Sequence, residues 1–476
     1  MEVWSPARGD AGEDMRLRLA CCIVKTLCMA PAVAMADAPP PPPPPPLAIA
    51  TPSEDPAAFA ARIGAAVNQH PAVLAAIAAQ RAARQARREA RAAFRPSLDL
   101  NLTGDGSIAR EFEDDFDNIV ERSRPRARAN ATLSGNQLLY DAGGTSARVE
   151  GAEARIGESE QAVLTAAVDV ALAAVAAYHQ VVESRALIML GEEFAGRHRD
   201  ILAQVEQRFR EGVGARRDVA RVEARLADAE ARLSGFERSL AEAESRYLEL
   251  FREAPPPLLL PAPVASAASS EDEAIALAVG NNPDVEAARY RAEAAAKDYR
   301  AERAGALPSV SLGIDATKFD LGEERTDFDI RGRVVMRYNL YTGGAQSARM
   351  AQALQRWRQT QHDEERARRE VERDVTIAFR TRAVLARRVE VLERALRANA
   401  DARAIYLEQF RVARGTLLDV LEAEDDYFNA AVVYLRGLIE AEMARFRLLA
   451  QTGELLDKLD IRFSFAEASD LFGSGR

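Results

Sequence analysis

The chain has 476 residues and a formal net charge of −10, long enough for one large core or two modules. Hydrophobic residues make up 48% but aromatic ones only 6%. Ala therefore carries much of the apolar count, which favours long helices over a β-sandwich. The acidic balance speaks against a nucleic-acid partner.

Residues 1–36 read as an export signal. Arg16 and Arg18 supply a basic start, Leu19 to Val33 is mostly apolar apart from Lys25, and Ala34-Met35-Ala36 is a small-residue cleavage site. Met1 to Asp14 reads as a loose extension before it. An N-terminal membrane anchor is the alternative, against which the short apolar run argues. All three cysteines (Cys21, Cys22, Cys28) fall inside this segment, leaving the mature chain no disulfide framework and no thiol nucleophile. The residues before Cys21 and Cys28 do not resemble a lipidation signal. Residues 37–55 are a Pro-rich linker. Its run Pro39 to Pro46 reads as a polyproline II spacer, with a partner-docking motif as the alternative.

The rest of the chain is written twice. LYDAGGTSAR (139–148) returns as LYTGGAQSAR (340–349), and FREGVGARRDV (209–219) returns as FRVARGTLLDV (410–420). His70-Pro71 matches Asn282-Pro283, and Pro96 matches Pro308 after the same interval. Only the piece between that Pro and the Tyr differs in length. The repeats span 56–253 and 271–453, separated by a Pro-rich equatorial linker (254–270) and followed by a short tail (454–476).

Within each repeat the elements come in one order. A helix opens at Pro71 or Pro283, with Asn282 an N-cap residue and Pro suited to the first turn. Two strands follow, in which apolar Leu98, Leu100 and Leu102, or Val310, Leu312, Ile314 and Ala316, alternate with polar residues. A second strand runs over Phe328, Ile330, Gly332, Val334 and Met336, with Arg331, Arg333 and Arg337 on its other face. A long helix then covers about 144–209 or 345–410, roughly 100 Å at ~1.5 Å per residue. Val371, Val375, Ala378, Leu385, Val389, Leu392 and Leu396 keep a 4,3 spacing, which predicts coiled-coil packing. A Gly-containing turn reverses the chain into a shorter helix. Its length plus that of a Pro-initiated helix nearly equals the long helix, so the two should stack end to end. That makes four columns and four strands per chain, with residues 254–270 wrapping the middle.

No helix of the mature chain reads as a membrane span: the closest run, Ala162 to Val182, holds Asp169 and His179. β-strands are the remaining route into a bilayer. Four of them cannot close a barrel, and an open sheet with an apolar face would aggregate. Self-association is the remedy.

The duplicated order of Pro, strand pair, Y-x-G-G (Y-D-A-G in the first copy), long helix and F-R-x-x-x-G-x-x-x-D-V resembles the TolC family of outer-membrane channels. The resemblance implies a mainly α fold with a β-barrel part: long antiparallel helical hairpins forming an α-barrel, and four strands per chain of a trimeric 12-stranded transmembrane β-barrel. It implies an outer-membrane location with the tunnel in the periplasm, contact with outer-membrane lipid, a homotrimer, and two protein partners: a periplasmic adaptor (membrane fusion) protein and an inner-membrane ABC or proton-driven transporter. The cargo service is type I protein secretion or small-molecule efflux, with GTLLDVLEAEDDYF (415–428) and the missing lipidation signal leaning toward secretion. A periplasmic coiled-coil scaffold or adaptor without channel activity is the rival class, which has no need of the duplicated amphipathic strand pair.

By the same resemblance, Asp419 and Glu422, with Asp218 in the first copy, form an acidic ring at the periplasmic entrance. The plain alternative is that Asp419 caps its helix and Glu422 is solvated. Phe410, Arg414 and Gly415 occupy the family's gate positions, but the family's gate Tyr is Phe410 here and its gate Arg is Gly415. Arg217 is a substitute for that Arg. Gly212, Gly214 and Gly415 are either adaptor-docking glycines or ordinary turn residues. Tyr140, Gly143, Gly144, Tyr341, Gly343 and Gly344 mark the barrel-to-tunnel junction, and Tyr338 with the two junction tyrosines suits an aromatic girdle. Acidic Glu111, Glu113, Asp114, Asp115 and Asp117 suit an extracellular loop. The four histidines are scattered, no constellation of an enzyme is present, and no cofactor or metal is expected.

Overall fold

The computed structural model describes residues 54–109, 111, 127–321, 327–412 and 414–465. The export signal, the proline run and most of the acidic loop lie outside them. The described elements run α1 (Pro56–Gln69), α2 (Pro71–Ala92), β1 (Ser97–Gly106), β2 (Ala127–Tyr140), α3 (Gly144–Arg210), α4 (Arg216–Phe251), α5 (Glu271–Asn281), α6 (Pro283–Ala304), β3 (Ser309–Lys318), β4 (Phe328–Arg337), α7 (Ala345–Arg411), α8 (Leu417–Gln451) and α9 (Leu455–Lys458).

Helix starts follow local chemistry. Asn282 Oδ1 accepts from Asp284 N at 2.9 Å and Pro283 fills the first helical position. His70 does the same for α2, its Nδ1 accepting from Ala72 N at 3.2 Å. Besides the one-turn α9, two helices escaped the sequence reading. Asp55 caps α1 ahead of Pro56, and Ser270 caps α5 by accepting from Glu273 N; both are ordinary N-cap signals.

The long helices α3 and α7 have 67 residues each, a length of about 100 Å. Helix α4 returns beside α3 and α8 beside α7, with α2 and α6 covering the other half. The stacking is direct at α6 on α8: Asn282 Nδ2 donates to the carbonyl of Gln451, the last residue of α8, at 3.2 Å. The copies are not equally covered. Helix α3 packs against α2, α4, α6 and α8 and is buried along most of its length. On α7 only Val371, Val375, Leu385, Ala400 and Phe410 are buried.

The largest core lies at mid-height, where α1, α3, α4, α8 and α9 meet. Phe59, Ile63, Tyr178, Tyr247, Phe446, Leu449 and Leu455 are all buried there, each large apolar side chain contributing about 1.5–3 kcal/mol. The linker after α4 crosses this core. Its Leu258 and Leu260 are buried in it, Arg185 donates to Pro255 O at 2.9 Å, and the Tyr178 hydroxyl donates to Leu259 O at 2.7 Å. His179 sits in the same core, wholly buried beside Phe59 and Phe446. Burial pushes its imidazole down to about 4. Among the described residues one helix stretch, in α3, is apolar and long enough to cross a membrane. Its Val163, Ala167, Val170 and Ala174 are buried, and most of these belong to this core.

Candidate functional site

Four strands form one antiparallel sheet in the order β1-β2-β3-β4. The register decides which residues share a face. Leu98 lies opposite Gly135, Leu100 opposite Leu133, and Leu102 opposite Ala131. Leu133 in turn faces Ala316, and Ala316 faces Ile330; Leu312 faces Val334 and Val310 faces Met336. One side of the sheet is thus apolar across all four strands. Most of its large side chains are exposed, among them Leu98 at 72%, Phe328 at 70% and Met336 at 68%. A soluble protein does not leave such a surface uncovered. The other face carries Asp99, Asn101, Thr103 and Asp105 on β1 and Arg331, Arg333 and Arg337 on β4. Arg333 pairs with Asp315 at 2.9 Å, and Thr132 bonds Thr317 at 3.2 Å across the sheet.

Among the described residues both outer strands keep an open edge, since β1 pairs only with β2 and β4 only with β3. Strand β2 runs to Tyr140, which pairs with Val310 past a bulge. Strand β4 stops at Arg337, opposite Ser309 where β3 begins. Tyr140 therefore ends a strand, whereas Tyr341 lies in the turn beyond one. Tyr140, Tyr338 and Tyr341 are all exposed.

The junction glycines do what a sharp entry into a helix requires. Gly143 (φ 84) and Gly344 (φ 85) are the N-caps of α3 and α7 in the left-handed region. The residues before them are left-handed too: Gly343 at φ 64 in the second copy, but Ala142 at φ 54 in the first. Gly144 has little room for a side chain, as a Cβ would come within 3.0 Å of the Asp141 carboxylate. That carboxylate accepts from the Thr145 hydroxyl at 2.7 Å, and Thr342 Oγ1 accepts from Gln346 N at 3.2 Å in the equivalent place.

At the far end the two helical turns share one backbone. Val213 N and Gly214 N both donate to Arg208 O, as Arg414 N and Gly415 N do to Gln409 O. Gly212 is left-handed at φ 80. A Cβ on Gly214 would lie 2.8 Å from the backbone of Phe209, so the turn leaves no room for a side chain there; one on Gly415 would lie 3.3 Å from that of Phe410, a tight fit. Asp419 forms a capping box with Thr416: Thr416 N donates to Asp419 Oδ2 at 3.1 Å and Asp419 N to Thr416 Oγ1 at 3.2 Å. Glu422, one turn on, is exposed, and Asp218 is half-buried in the first turn of α4.

Phe410 is buried with Ile201, Val205, Val222, Val420 and Leu421. The Arg208 guanidinium lies 4.4 Å from its ring centroid, an arginine the sequence reading passed over. Arg217 does not reach Phe410 or Gly415; its only ion-pair neighbour among the described residues is Asp218 at 3.7 Å. Arg414 is exposed. Higher up, Arg403 of α7 lies 3.2 Å from buried Glu424 of α8 and 3.4 Å from Glu193 of α3. Burial pushes the Glu424 carboxyl above its usual range, Arg403 opposing. His198 is fully buried against Phe194, which stacks on Phe428 in the same joint, and burial lowers its imidazole. Among the described residues, no group of three or more His, Cys, Asp or Glu side chains could hold a metal ion.

An amphipathic sheet with open edges, continued twice into helices of this length, has a counterpart among known sequences. The profile of the outer membrane efflux proteins matches over residues 63–249 and again over 274–453. The chain belongs to the outer membrane efflux protein family. It is similar to the outer membrane efflux protein BepC of Brucella suis biovar 1, with 24% identity over 374 residues covering 76% of this chain and 78% of that one. Its fold resembles VceC of Vibrio cholerae, at TM-score 0.72 and 19% identity, covering 83% of this chain and 96% of that one. The MtrE outer membrane channel of Neisseria gonorrhoeae in its open state is similar at TM-score 0.71 and 20% identity, covering 83% and 89%. As an outer membrane efflux protein, this chain is a channel component and not an enzyme. Membership of this family places the protein in the outer membrane.

Proposed function

We propose that the protein is the exit duct of a tripartite pump, acting as a homotrimer with a periplasmic adaptor protein and an inner-membrane transporter. The observation that carries this reading is the half-built sheet: one apolar face, one polar face and two open edges. In a bilayer every backbone group must find a partner, so the edges must be closed by further strands. Copies of the same chain supply them, and three copies give the twelve strands that the resemblance implies. The edges suit each other in charge, with Asp99 and Asp105 on the polar face of β1 and Arg331, Arg333 and Arg337 on that of β4.

Unpartnered helix faces support the same assembly. Ile377, Val384, Val391, Ala398 and Ile405 recur every seven residues along α7 and are all exposed. On α4, Ala220, Ala227, Ser234, Ala241 and Leu248 recur every seven residues and are exposed as well. Both stripes cover the same height above the turns, as Ile405 and Ala220 lie near the tip ends of their helices and Ile377 and Leu248 far from them. Large side chains on one helix and small ones on the other make the knobs and holes of a coiled-coil seam.

Within this reading, type I protein secretion is favoured over proton-driven efflux, on the residues of the turn and helix after Gly415. The test is purification in detergent followed by planar-bilayer recording. A heat-modifiable trimer with single-channel conductance is expected, and an elongated soluble monomer without conductance refutes the duct. Co-purification with a co-expressed ABC transporter or with a proton-driven one separates the two services.

A further inference from the structure

Phe465 lies in a groove lined by Arg84 of α2, Glu150 of α3 and Lys297 of α6. A duct stays open only if the side so covered is its outer one. The charges of this surface are paired: Arg84 lies 3.2 Å from Glu160, Arg87 2.6 Å from Glu153 and Lys297 2.7 Å from Glu150. Nearer the sheet the pairing stops. Arg88 and Arg91 of α2 and Arg300 and Arg303 of α6 are exposed, and among the described residues none of the four has an ion pair. Arg88 donates only to Gln85, at 3.5 Å, and Arg303 lies 5.9 Å from the Tyr299 ring centroid. Glu89 and Glu302 stand beside them in sequence and pair with none of them. Arg88 follows Arg84 by four residues and Arg300 follows Lys297 by three, so both continue the outer surface toward the sheet. Lys297 holds the Glu150 carboxyl below its usual range, and Arg300 adds to that from above.

The two copies agree on these arginines. Arg88 and Arg91 stand 17 and 20 residues beyond Pro71, as Arg300 and Arg303 do beyond Pro283. The charges around them are not repeated: Arg81 corresponds to Glu293, Arg84 to Ala296 and Glu89 to Ala301. The helix dipole favours a cation in the last turn, where Arg91 and Arg303 lie. Arg88 and Arg300 come before that turn, where the dipole's effect has faded. Strands β1 and β3 begin at Ser97 and Ser309, nine residues beyond Arg88 and Arg300 and six beyond Arg91 and Arg303. The four side chains therefore leave their helices about 9–14 Å below the sheet. A headgroup layer is about 5–8 Å deep on each side of a bilayer, and an arginine stem extends along the protein to bring its charge there.

We infer that Arg88, Arg91, Arg300 and Arg303 form a basic collar around the outside of the duct, which holds the phosphates of anionic lipid headgroups in the periplasmic leaflet of the outer membrane. The inference rests on the sheet being the membrane part of the duct. The chain carries −10 overall and would be repelled by an anionic surface; the collar presents to that surface a band of the opposite sign. It thereby fixes the depth at which the duct sits.

The test measures lipid selectivity of the full chain in phosphatidylcholine vesicles, from the spectra of trace spin-labelled phosphatidylglycerol or phosphatidylcholine immobilised on the protein. At low salt wild type should hold phosphatidylglycerol about fivefold better, the preference that one arginine near an anionic surface supplies, and high salt should erase it. R88Q/R91Q/R300Q/R303Q should bring the ratio to about one, whereas R88K/R91K/R300K/R303K should keep it. R148Q/R356Q should keep it too, because these arginines line a groove on the opposite side of α3, Arg148 lying half a turn round from Gly157 at ~100° per residue. If the glutamine set does not assemble, R88Q/R91Q and R300Q/R303Q are measured separately, and each should lower the ratio. Equal retention of the two lipids by wild type, a wild-type ratio in the glutamine variants, or an equal loss in R148Q/R356Q overturns the collar alone. If no labelled lipid is immobilised at all, the membrane reading of the sheet fails and the collar falls with it.

Discussion

Replacing Leu102 with arginine tests the assignment of the sheet faces. Strand β1 has ten residues, about 34 Å along the chain at ~3.4 Å per residue. Tilted by about 40°, it rises about 26 Å, close to the ~25 Å apolar band of outer-membrane barrels. Leu102 is the sixth residue of β1, opposite Ala131 and 65% exposed, so it falls near mid-depth. An arginine there should cost about 2–4 kcal/mol, a thirtyfold to thousandfold change in the folding equilibrium at ~1.4 kcal/mol per tenfold. Thr103, one residue on, pairs with Asn130 on the polar face, where arginine should cost little because the β4 arginines already sit on that face. Guanidinium titration of the two variants refolded into lipid vesicles, read by the heat-modifiable band on gels, measures the difference. Equal cost for L102R and T103R, or a greater cost for T103R, would refute the face assignment and with it the membrane reading of the sheet.

Ala142→Gly should stabilise the chain by about 0.5–1 kcal/mol, because the left-handed backbone at φ 54 suits glycine and the second copy already has Gly343 there; a Tm that stays the same or falls argues against strain at this junction. Replacing Asp419 and Glu422 with Asn and Gln should lower cation selectivity in bilayer recordings if three copies set these residues around the entrance, and an unchanged reversal potential removes the acidic ring. Thr416→Ala, which removes the N-cap of the box that Asp419 completes, should cost about 0.5–2 kcal/mol, seen as a lower Tm. His179 gives a pH signature. Its folded value of about 4 lies below the ordinary 6.5, so the stability it contributes is present above 6.5 and is lost as pH falls toward 4. The loss is about 3 kcal/mol at ~1.36 kcal/mol per unit. His179→Gln should flatten the fall of Tm over that window, and an identical slope in the variant would place the titration elsewhere.

Periodicity made much of this architecture legible. The 201-residue echo, the alternation of the strands and the 4,3 spacing of α7 each reflect a backbone repeat that recurs many times, so a single deviant residue such as Arg382 does not hide it. Helices α1 and α5 were missed although Asp55-Pro56 and Ser270 with Glu273 are ordinary start signals, because short helices beside Pro-rich stretches give few turns of pattern. The Arg403 cluster was not readable. Arg403 sits among many charges on a largely solvated helix, and only the approach of α8 and α3 encloses it. Arg208 and Arg217 were likewise indistinguishable as letters near one turn. Which of them reaches Phe410 depends on how the two hairpins lie against each other, a long-range fact that local spacing does not encode.

The open edges of the sheet bear on the genetics of the protein. A chain carrying a defect at β1 or β4 would still offer its sound edge to a normal neighbour, so the altered subunit would enter assemblies and spoil them. If three copies build one duct, as proposed above, a cell making both forms equally would hold only about one assembly in eight free of the altered chain. Edge variants should therefore behave as dominant poisons, whereas a change that prevents the chain from folding at all should be recessive.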